Sequence, residues 1–219
     1  IRNAAPPIHR YPMQKALEPL ILAWRVPELR GRILYVLGMV AIYVFALFVP
    51  IPEVDGEAMA ELFRSSAGVL SFLDIFGGGA LRRVSVLALG IMPYITAQIV
   101  FQVLTIAFPY FKELQKEGEY GRRKMAQYTR WSAVGLTLVQ AIIADRAFVQ
   151  FGVIPSAWAN QVVTVLALTA GTMYLLWLGE QITKKGIGNG ISFIIFVGIV
   201  AALPTYIGAL VTEGANPLS

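Results

Sequence analysis

Long uncharged blocks alternate with short charged segments along this chain. A block of about 20 apolar residues is long enough to cross a bilayer as a helix. The pattern predicts an all-α, polytopic membrane protein with five spans, at residues 33–50, 83–108, 125–145, 157–178 and 191–210. Pro93 lies inside the second predicted span and should kink it. Arg130 lies inside the third, where it must either reach the interface or face protein.

One apolar segment is too short to cross. The sequence VLSFLDIF, at residues 69–76, is followed by three consecutive glycines, Gly77, Gly78 and Gly79. A half-length segment with a flexible break after it indicates a re-entrant piece between the first two spans. Such a piece is stable at membrane depth only against protein or a watery cavity. We therefore expect a cavity beside it.

Composition supports a membrane protein and excludes several kinds of functional site. Hydrophobic residues make up 57% of the 219 and charged residues 14%, with a mean hydropathy of +0.65, against about 25% charged in soluble domains. The absence of cysteine excludes disulfides, thiol nucleophiles and cysteine metal sites. The single histidine, His9, lies in a proline-rich start, so we expect neither a metal site nor a cofactor.

The distribution of charge predicts the topology. Residues 1–32, 109–130 and 179–190 share one side of the membrane and contain 14 of the 18 basic residues, with six of the 13 acidic ones. The positive-inside rule makes that side, and the N-terminus, cytoplasmic. It also explains the net charge of +5 without nucleic acid.

The first 32 residues form a leader with two interpretations. Residues 16–24 have an apolar face, so the segment either lies on the membrane surface or is solvated. The chain starts at Ile1 and has no small-residue cleavage site, so we expect the natural N-terminus upstream and no signal peptide. Five spans resemble one half of an inverted-repeat channel or transporter.

The predicted spans contain almost no ionisable groups near their centres. Asp74 and Asp145 are interpreted as interfacial residues, which disfavours an enzyme or an ion-coupled pump. Thr96, Gln98 and Gln102 form a neutral polar group in the cytoplasmic half of the second span. They either bond across helices or line a wet surface.

Two isoleucine pairs have helical i, i+4 spacing, Ile91 with Ile95 and Ile191 with Ile195. They are either core or lipid-facing residues. They form an apolar constriction only if the second and fifth spans both face a pore.

Four blocks together resemble the bacterial SecY family of protein-conducting channels. They are FVPIPEVD (48–55), GGALRRVSVLALGIMPYITAQIV (78–100), KEGEYGRRKMAQYTR (116–130) and WLGEQITKKGIGNGISFIIFVGIVAALP (177–204). The resemblance runs over residues 27–204. The family's channel has ten helices in two pseudo-symmetric halves that open like a clamshell, and these residues resemble the first half.

The resemblance implies roles for particular residues. The segment 65–77 corresponds to the plug that seals the closed pore, with a glycine hinge that has no packing. The implied plug and hinge residues are Ser71, Phe72, Asp74, Ile75, Phe76, Gly77, Gly78 and Gly79. Ile91, Ile95, Ile191 and Ile195 correspond to the pore ring, and Thr96, Gln98 and Gln102 to the lateral gate. Arg82 and Arg83 are adjacent where the family has one arginine, thought to orient the flanks of the substrate.

The implied function is that of the pore subunit of the Sec translocon. It would conduct unfolded preproteins across the bacterial inner membrane and release membrane segments sideways into lipid, without catalysis. The implied partners are SecE, SecG, signal sequences, and SecA or the ribosome, which dock mainly through the family's second half. The alternatives are half of a small-solute secondary transporter, which needs a coupling site, and an assembly scaffold, which leaves the glycine break unexplained.

Overall fold

The computed structural model of the chain describes residues 26–66 and 68–214. Over these ranges the regular secondary structure is helical, with one isolated bridge between Pro50 and Ser85. The helices are α1 (Pro27–Ala46), α2 (Gly56–Ser65), α3 (Val69–Phe76), α4 (Met92–Ala107), α5 (Pro109–Lys116), α6 (Glu119–Gln150), α7 (Trp158–Lys185) and α8 (Gly190–Gly214). The all-α prediction is confirmed. The predicted surface helix at residues 16–24 lies outside the described residues.

Four helices are long and apolar enough to cross a membrane: α1, α6, α7 and residues Gly190–Gly208 of α8. Helices α4 and α5 pass the same test only as a pair that is bent by 100°. The described part of the chain therefore contains four spans, or five if the bent pair is one. The chain is a polytopic membrane protein, and the predicted five spans are the upper of these counts.

The second predicted span differs most from the prediction. Helix α4 begins at Met92, not at residue 83, and residues 77–91 are mainly turns. Val84 and Gly90 have φ values of 44° and 58°, which interrupt a right-handed helix.

The prediction of a kink at Pro93 is also wrong, because the helix begins only one residue before this proline. Pro93 lies in the first turn of α4, where the missing N–H would have no helical partner in any case. The sharp bend comes instead at Pro109, and the preceding Phe108 is extended at φ −115° and ψ 123°. A residue before proline is driven to this conformation by the proline ring.

The remaining spans coincide with α1, α6, α7 and α8, with different ends. Helix α1 begins at Pro27, since proline suits the first helical position, and ends at Ala46 instead of residue 50. Helices α6 and α8 extend beyond the predicted spans at both ends, and α7 extends beyond its predicted end at residue 178 to Lys185. Asp145, at which the third predicted span ends, therefore lies inside α6 and is only 2% exposed.

Helix α7 forms the centre of the fold. It packs against α1, α6 and α8, while α8 also carries α3, and α4 packs against α6. One buried cluster joins α1, α7 and α8, through Val36, Tyr43, Leu47, Leu175, Leu178, Ile182 and Ile194. This frame fixes the surface on which α3 lies.

The loop between α3 and α4 is tied to the same frame. The Val86 N–H donates to the Val49 carbonyl at 3.0 Å, and the Ser85 hydroxyl donates to the Ala46 carbonyl at 3.1 Å. The loop crosses α7 at Gly171, where a Cβ would lie 1.8 Å from the Val86 carbonyl oxygen. Only glycine permits this approach of two backbones, so the loop holds the start of α4 at a fixed place.

Arg130 faces protein, as one of the two sequence interpretations required. Its guanidinium forms an ion pair with Glu180 of α7, and Lys184 lies 3.4 Å from the other carboxylate oxygen of Glu180. The pair links α6 to α7.

Candidate functional site

Helix α3 is a two-turn helix bounded by glycines. It follows Gly68, at φ 82°, and ends at Gly77, after which Gly78 and Gly79 have φ values of 71° and 80°. The N–H groups of Gly77 and Gly79 donate to the carbonyl of Asp74 at 3.1 and 3.0 Å. Positive φ is the region that glycine adopts without a Cβ penalty. The helix therefore ends in a defined turn.

Asp74 is the buried residue of α3, at 1% exposure, and both of its carboxylate oxygens are engaged. Oδ1 accepts the backbone N–H groups of Leu81 at 2.9 Å and Arg82 at 3.1 Å. Oδ2 accepts the Tyr206 hydroxyl at 3.2 Å, and that hydroxyl also lies 2.9 Å from the Ser71 carbonyl oxygen. The interpretation of Asp74 as an interfacial residue is wrong, because the structure makes it a buried link between α3, the following loop and α8.

The glycine turn packs directly against α8. A Cβ on Gly78 would lie 3.2 Å from the Cα of Gly198 and 3.1 Å from the Tyr43 hydroxyl oxygen. A Cβ on Gly198 would lie 3.3 Å from the Phe76 carbonyl oxygen. The expectation of a hinge without packing is therefore wrong at Gly78, which is buried in a contact between two backbones.

An apolar cavity of about 240 Å³ lies on the other side of α3. Its lining includes residues from two of the predicted groups. Leu73, Phe76 and Gly77 come from the predicted plug segment, and Ile91, Ile95 and Ile195 from the predicted ring. Ile191 is not in this lining. It lies against α7 instead, where a Cβ on Gly179 would be 3.0 Å from the Ile191 Cγ1. The structure thus brings three of the four predicted ring residues to one cavity under α3.

The outer face of α3 is apolar and open. Val69 and Phe72 are 63% and 62% exposed, and the Phe72 ring meets the Phe76 ring edge-on at 5.2 Å. Ile75 is half-buried. Apolar contacts within the described residues therefore cover only part of this helix.

The predicted gate residues all lie exposed on α4. Gln98 and Gln102 are both exposed, and Thr96, also exposed, donates its hydroxyl to the Met92 carbonyl at 3.0 Å within its own helix. Ala97 is buried, and α4 packs against α6. Gln98 and Gln102 share one face of α4 and Thr96 lies on another, and none of the three lines the isoleucine cavity.

The two adjacent arginines point to different surroundings. The Arg82 guanidinium lies over the rings of Phe63 and Tyr206, at 5.1 and 5.4 Å, and its Nε is 4.0 Å from Asp74 Oδ2. The Arg83 guanidinium lies over the ring of Phe48 at 4.6 Å. Of the two arginines, Arg82 is the one that contacts the Asp74 carboxylate, while Arg83 donates to the Gly79 carbonyl at 3.4 Å.

Comparison with known proteins identifies the family. The SecY family model matches residues 85–217, which is more than half of the chain. The chain belongs to the SecY family. This membership argues against the alternative of a small-solute transporter.

Individual SecY proteins agree with this assignment. The protein translocase subunit SecY of Vibrio cholerae is 47% identical over 190 residues, that of Escherichia coli K12 is 44% identical over 192, and that of Thermotoga maritima is 42% identical over 207. These matches cover 85%, 85% and 90% of this chain, but 43%, 43% and 48% of the relatives. The chain spans about half the length of the curated relatives it matches.

Sequence reasoning missed Tyr206 in this SecY-family chain. The sequence gives little reason to select Tyr206, because it is a single hydroxyl-bearing residue near the end of an apolar span, two residues after Pro204. It also left the role of Arg82 open, because the partners of this side chain lie on three different helices, α2, α3 and α8. Among the described residues, no group of three or more histidine, aspartate or glutamate side chains is placed to hold a metal ion.

Proposed function

We propose that this SecY-family chain is half of the pore subunit of a Sec translocon. The complete subunit conducts unfolded preproteins across the bacterial inner membrane and releases membrane segments sideways into lipid. The observation that carries the proposal is the position of α3 over a cavity lined by Ile91, Ile95 and Ile195. The relatives' name, protein translocase subunit, supports the same activity.

The isoleucines act as a constriction. A pore that passes arbitrary polypeptide cannot bind any side chain strongly. Isoleucine offers neither hydrogen bonds nor charge, and an apolar constriction excludes water and ions by dewetting. Ile191 joins this ring only if α8 shifts relative to α7, since the side chain lies against Gly179 here.

Helix α3 acts as the plug. It is short, bounded by glycines and exposed along much of its apolar surface, which are properties of an element with low local stability. Leu73 and Phe76 of α3 form part of the cavity lining, so that displacement of this helix opens the cavity.

The exposed surface of α4 acts as one wall of the lateral gate. Thr96, Gln98 and Gln102 carry no charge that would have to be buried when the gate closes. A signal helix that leaves through the gate gains about 25 cal/mol per Å² of apolar surface on moving from a wet pore to lipid. This step needs no catalytic residue.

The wider assembly follows from charge and family. The excess of basic residues supports a cytoplasmic N-terminus. The remaining half of the family's length closes the pore. SecE and SecG complete the membrane complex, while SecA or the ribosome supplies the driving energy.

Site-specific crosslinking tests the proposal. Single cysteines replace Ile91 or Ile195 in the full-length subunit, with Ile143 on the exposed face of α6 as a matched isoleucine control. A translocating chain stalled in the channel should crosslink to positions 91 and 195 and not to 143. If positions 91 and 195 react only with lipid-phase reagents, or no better than 143, the pore assignment is wrong.

A further inference from the structure

We propose that Asp74, Tyr206 and Arg82 form a polar latch that holds α3 on α8 while the site is dry and releases it when water enters. The proposal rests on the proposed function of α3 as a plug. It adds the residues that keep the plug seated and the condition under which they let go.

Apolar contacts hold α3 only weakly. Val69 and Phe72 are more than 60% exposed, and Leu73 and Phe76 are 44% and 37% exposed. Burial of apolar surface stabilises a helix in proportion to the area removed from contact with solvent. These four side chains therefore contribute little. Leu70 and Ile75 are partly buried, with Leu70 packed against the core that contains Phe63 and Val84, and the buried contact at Asp74 adds the polar attachment to α8.

The Tyr206 hydroxyl makes that attachment to α8. It has one hydrogen and two acceptors, the Ser71 carbonyl oxygen at 2.9 Å and Asp74 Oδ2 at 3.2 Å. The bond can pass from one acceptor to the other, so α3 stays attached through small displacements. Both acceptors belong to α3 and the donor belongs to α8, so separation of the two helices breaks every bond of Tyr206 to α3.

Arg82 supports the attachment from the solvent side. Its guanidinium lies between the rings of Phe63 on α2 and Tyr206 on α8, and its Nε is 4.0 Å from Asp74 Oδ2. The Arg82 side chain is 43% exposed whereas that of Asp74 is 1% exposed. Arg82 thus neutralises the buried carboxylate from the wet side and keeps the Tyr206 ring in place.

The two larger cavities beside α3 differ in polarity. On one side is the apolar cavity of about 240 Å³ under the isoleucines. On the other side is a larger cavity of about 430 Å³, whose lining includes Arg64, Ser71 and Arg82. A smaller cavity of about 40 Å³ borders the latch itself, with Asp74, Arg82 and Tyr206 in its lining, although the Asp74 side chain is only 1% exposed.

Release follows from the physics of buried hydrogen bonds. Such bonds are strong in a dry, low-dielectric site, because an unpaired partner there has no substitute. Once water reaches Asp74, protein–water bonds replace the bonds to Tyr206 at little net cost. Leu73 and Phe76 of α3 line the same cavity as the isoleucines. Widening of the constriction therefore displaces α3 and lets water from the small cavity reach Asp74, so opening of the ring and release of the plug become coupled.

A label on α3 tests the latch in the full-length subunit. The chain contains no cysteine, so a single cysteine introduced in place of the exposed Phe72 can carry a spin label. Any cysteines elsewhere in the full-length subunit are replaced first. Tyr206→Phe removes only the hydroxyl and keeps the ring over Arg82. Tyr174→Phe is the matched control, since Tyr174 lies in α7 and its ring stacks on Trp177.

We expect Tyr206→Phe to raise the mobile fraction of the label roughly two- to tenfold, the range for loss of one hydrogen bond, and Tyr174→Phe to leave it unchanged. Arg82→Gln should also raise it, which guards against an effect peculiar to position 206. An unchanged label in both variants overturns the latch.

A second readout separates the latch from the plug. Ion conductance of the closed channel in a planar bilayer should rise in Tyr206→Phe together with label mobility. A mobile label with unchanged conductance supports the latch and contradicts the role of α3 as a seal. Raised conductance with an immobile label contradicts the latch alone.

Discussion

Two polar regions of this protein are built in opposite ways. At Asp74 both carboxylate oxygens are bonded: the side chain accepts two backbone N–H groups and a tyrosine hydroxyl at 1% exposure. On α4, Gln98 and Gln102 share an exposed face, and within the described residues neither side chain has a hydrogen bond. The first region is complete within the described residues, and the second is not.

The difference teaches where each region obtains its stability. A buried carboxylate must be paired where it lies, because burial of an unpaired charge is costly. Exposed amides carry no such requirement and can meet another surface later. We therefore expect substitutions at Asp74 to disturb this half by itself, and substitutions at the α4 surface to act mainly where another element covers it.

The largest expected effect is that of Asp74→Ala. The change leaves the N–H groups of Leu81 and Arg82 without their acceptor and removes one of the two acceptors of the Tyr206 hydroxyl, which should cost about 2–4 kcal/mol of local stability in total. Hydrogen exchange of the α3 amides in the full-length subunit should accelerate by about 30- to 800-fold.

Asp55→Ala is the control for that experiment. Asp55 also accepts two backbone N–H groups, from Glu57 at 2.8 Å and Ala58 at 3.2 Å, but it does so as the exposed N-cap of α2. Its loss should cost about 1 kcal/mol and affect α2 amides only. Equal acceleration of α3 exchange in both variants would contradict the central role of Asp74.

The next largest effect is expected from Gly198→Ala. A Cβ at this position would lie 2.9 Å from the Tyr43 hydroxyl oxygen and 3.3 Å from the Phe76 carbonyl oxygen. Overpacking of this kind costs about 1–3 kcal/mol and should appear in thermal unfolding of the purified subunit. Tyr43→Phe removes the nearer atom and should restore part of the loss.

The matched control is Gly135→Ala, on α6, where a Cβ would meet nothing within 4 Å. Alanine is favoured over glycine inside a helix by about 1 kcal/mol, so this variant should be at least as stable as the parent. A similar loss at both positions would mean that the contact between Gly78 and Gly198 does not limit packing.

How much the sequence can predict depends on whether a feature arises from neighbouring residues or from contacts distant along the chain. The spans and the isoleucine spacing depend on local periodicity and length, which a single sequence contains. Ile91, Ile95 and Ile195 stand out by their spacing and by the family resemblance, and the structure brings them to one cavity. The i, i+4 spacing predicts a shared face for Gln98 and Gln102, and both lie exposed on α4.

What the sequence cannot predict depends on contacts distant along the chain. The interfacial interpretation of Asp74 fails because its hydroxyl partner, Tyr206, lies on α8, more than 130 residues away. The predicted start of α4 is wrong because hydropathy alone does not distinguish a helix from the turns at residues 77–91. Those turns depend on Gly171, whose missing side chain makes room for them on α7.

A smaller effect is expected at the ion pair between Arg130 and Glu180. Its side chains are 45% and 22% exposed, so solvent screens the interaction more than it does at Asp74. A double-mutant cycle with Arg130→Gln and Glu180→Gln should give a coupling of about 0.5–1 kcal/mol that shrinks in high salt. Lys184→Gln is the control, since it removes the other cation at Glu180. A coupling that is independent of salt would contradict this description of the pair.

The smallest effect on stability is expected from the double change Gln98→Leu and Gln102→Leu. Exposed substitutions away from caps, cores and networks usually alter stability by less than about 0.5 kcal/mol, and hydrogen bonds between membrane helices contribute about 0.6 kcal/mol on average. Thermal unfolding of the full-length subunit should therefore barely change. The dependence of translocation on signal-sequence hydrophobicity should shift, because leucine changes how the α4 surface packs against the closed gate and against an apolar signal helix. If the double variant instead loses more than about 1.5 kcal/mol and signal dependence is unaltered, the two glutamines hold helices together and are not the gate surface. That outcome would make the α4 surface a structural contact like that of Asp74, and the distinction between the two regions would disappear.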